Sequence, residues 1–200
     1  DGVTGVQTCA LPISTVRDVQ VSAAGDFIGS IDSRFGTLTR TWQNGTEANC
    51  PTWNASGFAS ADGTTDVWGG GTNANSIMRN TPAGYFCMTF LPTSLGATGG
   101  LFAAGTATPN VSRFMVQTLS DGSIALQIRR LDGDTLNTFT SAAGIIIPGN
   151  YYIVEADCDY AGTGDARLWV NGELVASGTI AGTPGNTSDT DSVRCRLFQS

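Results

Sequence analysis

From residue 85 onward, apolar and polar positions alternate with a period of two, interrupted by Gly, Asn, Asp and Pro. Residues 85–91 (YFCMTFL) form an aromatic-rich run that stops at Pro92, and residues 101–104 form a short apolar run after Gly99 and Gly100. Residues 113–119 and 123–131 flank Asp121-Gly122, a dipeptide whose glycine admits the positive φ of a tight hairpin. In the second of these runs Ile124, Leu126 and Ile128 share one face while Gln127 and Arg129 take the other, the alternation of a half-buried strand. Asp132-Gly133 then turns the chain into residues 135–140, so three strands form a meander.

A second unit begins after Gly149. Within residues 151–160, Tyr152, Val154, Ala156, Cys158 and Tyr160 fall on one face, and Ile153, Glu155, Asp157 and Asp159 on the other. A Gly-rich turn at 161–165 leads into a strand at 166–170. Asn171-Gly172 is a type I′ signal, and residues 173–177 return. After a polar loop at 182–192, residues 193–198 make a last strand. Residues 15–26 and 35–42 are expected to hold strands, whereas 44–61 and 69–75 read as loops rich in Gly, Asn, Thr and Pro. No window has helical periodicity. Many short antiparallel strands separated by turns predict an all-β chain, an antiparallel β-sandwich of the jelly-roll kind.

Composition narrows the chemistry. Glycine accounts for 26 of 200 residues; there is no Lys and no His, so all ten basic residues are Arg. Without His, neither a Ser-His-Asp nor a Cys-His pair is possible, nor a histidine zinc site. Without Lys, Schiff-base and P-loop phosphate chemistry fall away too. Catalysis would have to rest on carboxylates, hydroxyls and Arg. A net charge of −7 argues against a nucleic-acid partner, which needs a basic footprint. No stretch approaches the ~20 apolar residues of a membrane span.

Val3 to Ile13 (VTGVQTCALPI) resembles the translation of a short-read sequencing adapter. Residues 1–14 are therefore expected to be an adapter-derived artefact, and residues 15–200 a single domain truncated at both ends, a metagenomic fragment whose targeting signal is missing. Setting Cys9 aside leaves Cys50, Cys87, Cys158 and Cys195, none at metal-ligand spacing. They are either small buried hydrophobes or two disulfides, for which three pairings exist.

The strings DGSIALQIRR and PGNYYIVEADCDYAGTGDARLWVNGELVAS resemble the laminin-G-like, concanavalin-A-like jelly-roll family, with its "lyvnGelv" hairpin. Upstream, SIDSRFGTLTRTWQNG and PTWNASGFASADGTTDVW resemble the segment that often precedes this fold in bacterial and phage surface proteins. The resemblance runs over about residues 30 to 200. Tyr151-Tyr152 stands where the family usually has Trp-His. The resemblance implies two packed antiparallel sheets and a non-catalytic module for carbohydrate or surface-protein recognition and adhesion. It also implies an extracellular or virion-associated setting and, in many members, a structural calcium ion.

Three groups of residues are candidates for a site. Glu155, Asp157 and Asp159 project from one strand face, and EADCD resembles the E-x-D-x-E core of laminarinase-like glycoside hydrolases. Retaining cleavage needs two carboxyl groups about 5–5.5 Å apart, one with a raised pKa. Positions i and i+4 on a strand lie ~13 Å apart, and Asp159 in place of Glu shortens the acid arm. The competing reading is a solvated outer face. Calcium is the second candidate, with Asp132, Asp134 and Asp165 in loops beside Gly, Asn and Thr as ligands; Asp-Gly is also ordinary turn chemistry. The third is a glycan platform built from Trp169, Asn171 and Trp68, with Trp169 facing away from Leu168 and Val170. The function these observations favour is a non-catalytic glycan-binding or adhesion module. A carboxylate-driven hydrolase or lyase and a purely structural virion or surface domain are the alternatives.

Overall fold

The computed structural model describes residues 13–16, 30–33, 41–43, 51–53, 59–61, 68–69, 81–105, 112–131, 134–186 and 194–197. Short strands come first: β1 (Ile13–Val16), β2 (Ser30–Ser33), β3 (Thr41–Gln43), β4 (Thr52–Trp53), β5 (Ala59–Ser60) and β6 (Trp68–Gly69). The longer ones follow: β7 (Ala83–Phe90), β8 (Thr98–Gly105), β9 (Ser112–Leu119), β10 (Ile124–Ile128), β11 (Asn137–Thr140), β12 (Tyr152–Asp159), β13 (Asp165–Val170), β14 (Glu173–Thr179) and β15 (Arg194–Leu197). No helix occurs among the described residues, and none there is long and apolar enough to cross a membrane.

One sheet has the order β1-β2-β3-β6-β15-β8-β9-β10-β11, and a second the order β14-β13-β12-β7; β4 and β5 pair separately. Every pairing is antiparallel, which makes the protein the expected all-β sandwich of jelly-roll type.

Side-chain alternation explains why the two sheets stack. Along β12, Tyr152, Val154, Ala156 and Cys158 are buried, while Ile153, Glu155, Asp157 and Asp159 are not. Opposite them, β10 turns Ile124, Leu126 and Ile128 into the same interior, and each fully buried side chain of this size contributes about 1.5–3 kcal/mol. Aromatic rings bridge the layers: Phe86 of β7 stacks on Phe102 of β8 at 5.2 Å, and Phe102 meets Phe114 of β9 edge-on at 6.0 Å. Gly178 lets β14 approach this layer closely, since a Cβ there would collide with the Phe139 ring.

The turns follow their sequence signals. At Asp121-Gly122, Gly122 takes φ +77° and the Asp121 carboxylate accepts hydrogen bonds from the Ser123 N–H and hydroxyl, which hold its pKa below the usual carboxylate range. Asn171 and Gly172 adopt φ values of 52° and 82°, the left-handed pair of a type I′ turn.

The first third departs from expectation. Of the strands expected over 15–26 and 35–42, the described residues hold β1 and β3, with β2 lying between the two ranges, and the expected loop 44–61 contains the β4–β5 hairpin; residues 17–26 and 35–40 lie outside the described residues. These strands are only two to four residues long, so period-two alternation cannot mark them. One of them, β6, also depends on a partner distant in sequence, β15. Ile13 to Val16, which straddle the expected adapter junction, pair with β2; residues 1–12 lie outside the described residues. Elsewhere β8 begins earlier than expected, at Thr98, because Gly99 leaves room for the Thr118 hydroxyl to reach the Gly99 carbonyl at 3.3 Å.

Arg130 is 1% exposed, and its Nε and Nη1 have no hydrogen-bond partner. Its Nη2 lies against Gly164, where a Cβ would collide with it. Gly164 also has φ +80°, so two independent constraints require glycine there.

Candidate functional site

The outer face of the four-stranded sheet gathers most of the chemistry on the described surface. Register decides which residues meet. Asp157 of β12 stands opposite Arg167 of β13 and Tyr85 of β7, and Glu155 stands opposite Trp169 and Cys87. Period two then places Tyr85, Glu155, Asp157, Arg167 and Trp169 on one face. A register shift between Leu168 and Trp169 adds one residue to β14 beside the tryptophan. Such a bulge raises local twist and re-aims neighbouring side chains.

Polar contacts tie this face together. The Tyr85 hydroxyl donates to Glu155 Oε1 at 2.6 Å although Tyr85 is 66% exposed. That bond to a carboxylate, aided by partial burial, raises the phenol pKa above its ordinary value. Arg167 forms a two-pronged pair with Asp157, Nε to Oδ1 at 3.0 Å and Nη2 to Oδ2 at 2.6 Å. The carboxylate raises the guanidinium pKa further, so this cation is permanent. The Arg167 guanidinium also lies over the Trp169 ring at 5.2 Å. Beside these groups is a shallow depression of about 440 Å³ lined by Tyr85, Asp157, Asp159, Thr163, Asp165 and Arg167 among others.

The three carboxylates of the hydrolase alternative sit on the expected face but are each engaged. Glu155 accepts from Tyr85, both Asp157 oxygens bind Arg167, and Asp159 accepts the N–H groups of Gly162 at 2.7 Å and Thr163 at 2.9 Å. Those backbone donors lower the Asp159 pKa, the opposite of what a general acid requires. Asp159 acts as the closing residue of the β12–β13 turn.

The expected glycan platform is divided. Trp169 lies on the outer face as its alternation with buried Leu168 and Val170 predicts. Asn171 closes the β13–β14 hairpin and stitches it to β12: its Oδ1 accepts from the Ile153 N–H at 2.9 Å and its own N–H donates to the Ile153 carbonyl at 2.8 Å. Trp68 belongs to β6 in the other sheet, and its side chain lies outside the described residues. Trp68 and Trp169 are thus carried by different sheets.

Of the expected calcium ligands, Asp132 lies outside the described residues. The Asp134 Oδ2 accepts the Leu131 N–H at 3.1 Å in a local turn, and Asp165 lines the depression on β13. Among the described residues no three His, Cys, Asp or Glu side chains are placed so as to hold one metal ion, so the described residues alone do not make a calcium cage. Cys87 and Cys158 are not joined in a disulfide, and burial pushes the Cys158 thiol up to about 12, which keeps it from acting as a nucleophile. The side chains of Cys50 and Cys195 lie outside the described residues.

Tyr85 and Arg167 are the two members of this face that sequence reasoning did not single out. Arg167 had a signal, because it shares the period-two face of Trp169. Tyr85 had none, since its place opposite Asp157 depends on β7 pairing across 70 residues with β12.

No known family's sequence pattern matches the chain, and no curated protein sequence does. Solved structures with a similar fold exist. The CBM40 domain of the Ruminococcus gnavus IT-sialidase superposes with a TM-score of 0.51 at 22% identity, covering 62% of this chain and 67% of that one. The same domain bound to α2,3-sialyllactose gives a TM-score of 0.51 at 22% identity, covering 62% and 66%. Domains LG4-5 of the mouse laminin α1 chain give a TM-score of 0.39 at 14% identity, over 60% of this chain and 32% of that one. At 22% identity the CBM40 likeness is one of fold, and it accords with the jelly-roll strand order described above.

Proposed function

We propose that this chain is a non-catalytic glycan-binding module whose binding surface is the outer face of the four-stranded sheet. One observation carries the reading: Tyr85, Asp157 and Arg167 line a single shallow depression, and each is tied to a neighbour on the same face, Tyr85 to Glu155 and Arg167 to the Trp169 ring. Aromatic faces pack on the C–H faces of sugar rings, while fixed carboxylates and a hydroxyl accept from sugar O–H groups. The engagement of all three β12 carboxylates by structural partners speaks for binding over cleavage. The fold likeness to a CBM40 domain solved with α2,3-sialyllactose bound supports the same reading. An adhesive role at an extracellular or virion surface, where glycans are met, goes with it.

The test is a broad glycan panel probed with the wild type and with Trp169→Ala. The reading expects ligands retained by the wild type and lost, by about tenfold or more in Kd, in the variant. A wild type that binds nothing on the panel sinks the glycan reading and leaves a structural domain. Glycan cleavage abolished by Glu155→Gln would replace it with the hydrolase alternative.

A further inference from the structure

We infer that the outer-face depression selects ammonium-bearing amino sugars over acidic sugars, an inference that rests on the glycan-binding reading of that face. The lining holds three carboxylates, Asp157, Asp159 and Asp165, against one guanidinium, Arg167, so negative charge is in excess by two.

The single cation in the lining is already paired with a carboxylate. Arg167 Nε and Nη2, the edge that grips a carboxylate in two-pronged fashion, are both taken by Asp157. Its flat face is turned to Trp169. The remaining phenol is committed in the same sense: Tyr85 donates its proton to Glu155 and so offers an incoming ligand only its oxygen lone pairs.

The lining is therefore rich in acceptors and poor in donors. A sugar carboxylate entering here meets three like charges, with the Nε edge of the one guanidinium already taken, and specificity of this kind arises from the repulsive element as much as from the attractive one. A sugar ammonium brings three donors and a positive charge to acceptors already fixed in place, with the Trp169 ring beside them. Asp159 is held in position by the Gly162 and Thr163 N–H groups, so its charge is fixed on the rim rather than on a mobile side chain. This ligand class differs in charge from the α2,3-sialyllactose bound by the similar CBM40 domain.

The test is calorimetric titration of the full chain with three probes: a glucosamine trisaccharide with free amines, its fully N-acetylated counterpart, and 3′-sialyllactose. The inference expects the free-amine probe to bind at least about tenfold more tightly than sialyllactose at low salt. The gap should narrow at high salt as screening shortens the reach of the carboxylates. It should also narrow in Asp165→Asn, and Trp169→Ala should weaken the amine probe. Sialyllactose binding as tightly as the amine, with Trp169→Ala abolishing it, overturns the inference while leaving the glycan-binding reading intact. Amine binding indifferent to both substitutions overturns it as well, by placing the sugar elsewhere. Silence of all three probes also overturns it, and the broad panel then decides the parent reading separately.

Discussion

The two faces of strand β12 share one backbone and obey different physics. Inward, Tyr152, Val154, Ala156 and Cys158 are removed from water and pack against the other sheet. Outward, Ile153, Glu155, Asp157 and Asp159 remain partly or wholly in contact with solvent and take partners from neighbouring strands. The inner face holds the sandwich together through apolar burial, which has no direction and depends on area. The outer face adds little to stability, because exposed ion pairs contribute only about 0–1 kcal/mol. The outward positions can therefore be shaped for recognition without loss of the fold. Substitutions on the two faces should separate accordingly.

The largest effect is expected inside. Leu168→Ala removes a fully buried side chain from β13 and should cost about 2–5 kcal/mol, seen as a fall of several degrees in Tm. A loss under about 1 kcal/mol would break the comparison at once, since Leu168 would then carry no more weight than an outer residue.

Arg130 sharpens the contrast because it is a charge placed in the apolar layer's surroundings. With Nε and Nη1 buried and unpartnered, Arg130→Met should raise stability by about 1–4 kcal/mol. A clear fall in Tm would show that the guanidinium supports the Gly164 turn in a way its missing hydrogen bonds do not reveal.

The effects of pH are smaller and lie on the rim of the outer face. The Asp159 carboxyl has a folded pKa below its unfolded value, so its contribution is present above about pH 4 and is lost as pH falls through the folded value. Asp159→Asn should flatten the acid limb of a Tm-against-pH profile, and an unchanged limb would remove Asp159 from the turn. Tyr85 has the opposite sign. Its folded pKa is raised, so its contribution is full below about pH 10 and disappears as pH rises through the higher folded value. Phenolate absorbance should show one tyrosine titrating earlier in Glu155→Gln than in the wild type. Identical titrations would mean that the 2.6 Å bond between Tyr85 and Glu155 does not form.

The smallest stability change belongs to Arg167→Gln. The Asp157 pair is solvent-exposed, with half of the arginine side chain accessible, so the Tm of the variant should scarcely differ from that of the wild type.

The same contrast explains what could be read from sequence. Both faces of β12 were legible because period-two alternation runs unbroken from Tyr152 to Tyr160, and the hairpin at Asn171-Gly172 was legible because a type I′ turn demands those residue types. Trp169 could be assigned to the outer face by the same counting. The pairing of Asp157 with Arg167 was less accessible, since it depends on the register across the Gly162 turn rather than on either residue. The insertion of β15 between β6 and β8 had no local signal at all, because the three strands come from distant parts of the chain. Arg129 and Arg130 were hidden for another reason: alternation places Arg129 outward, whereas both are buried, and nothing in a pair of charged residues announces it.

The most direct test of the central claim is a map of backbone amide shifts in the ¹⁵N-labelled chain as a glycan from the panel is added. Shifts concentrated at Tyr85, Glu155, Asp157, Arg167 and Trp169 are the predicted result. Shifts concentrated on the nine-stranded sheet, with the outer face of β12 and β13 silent, would contradict it.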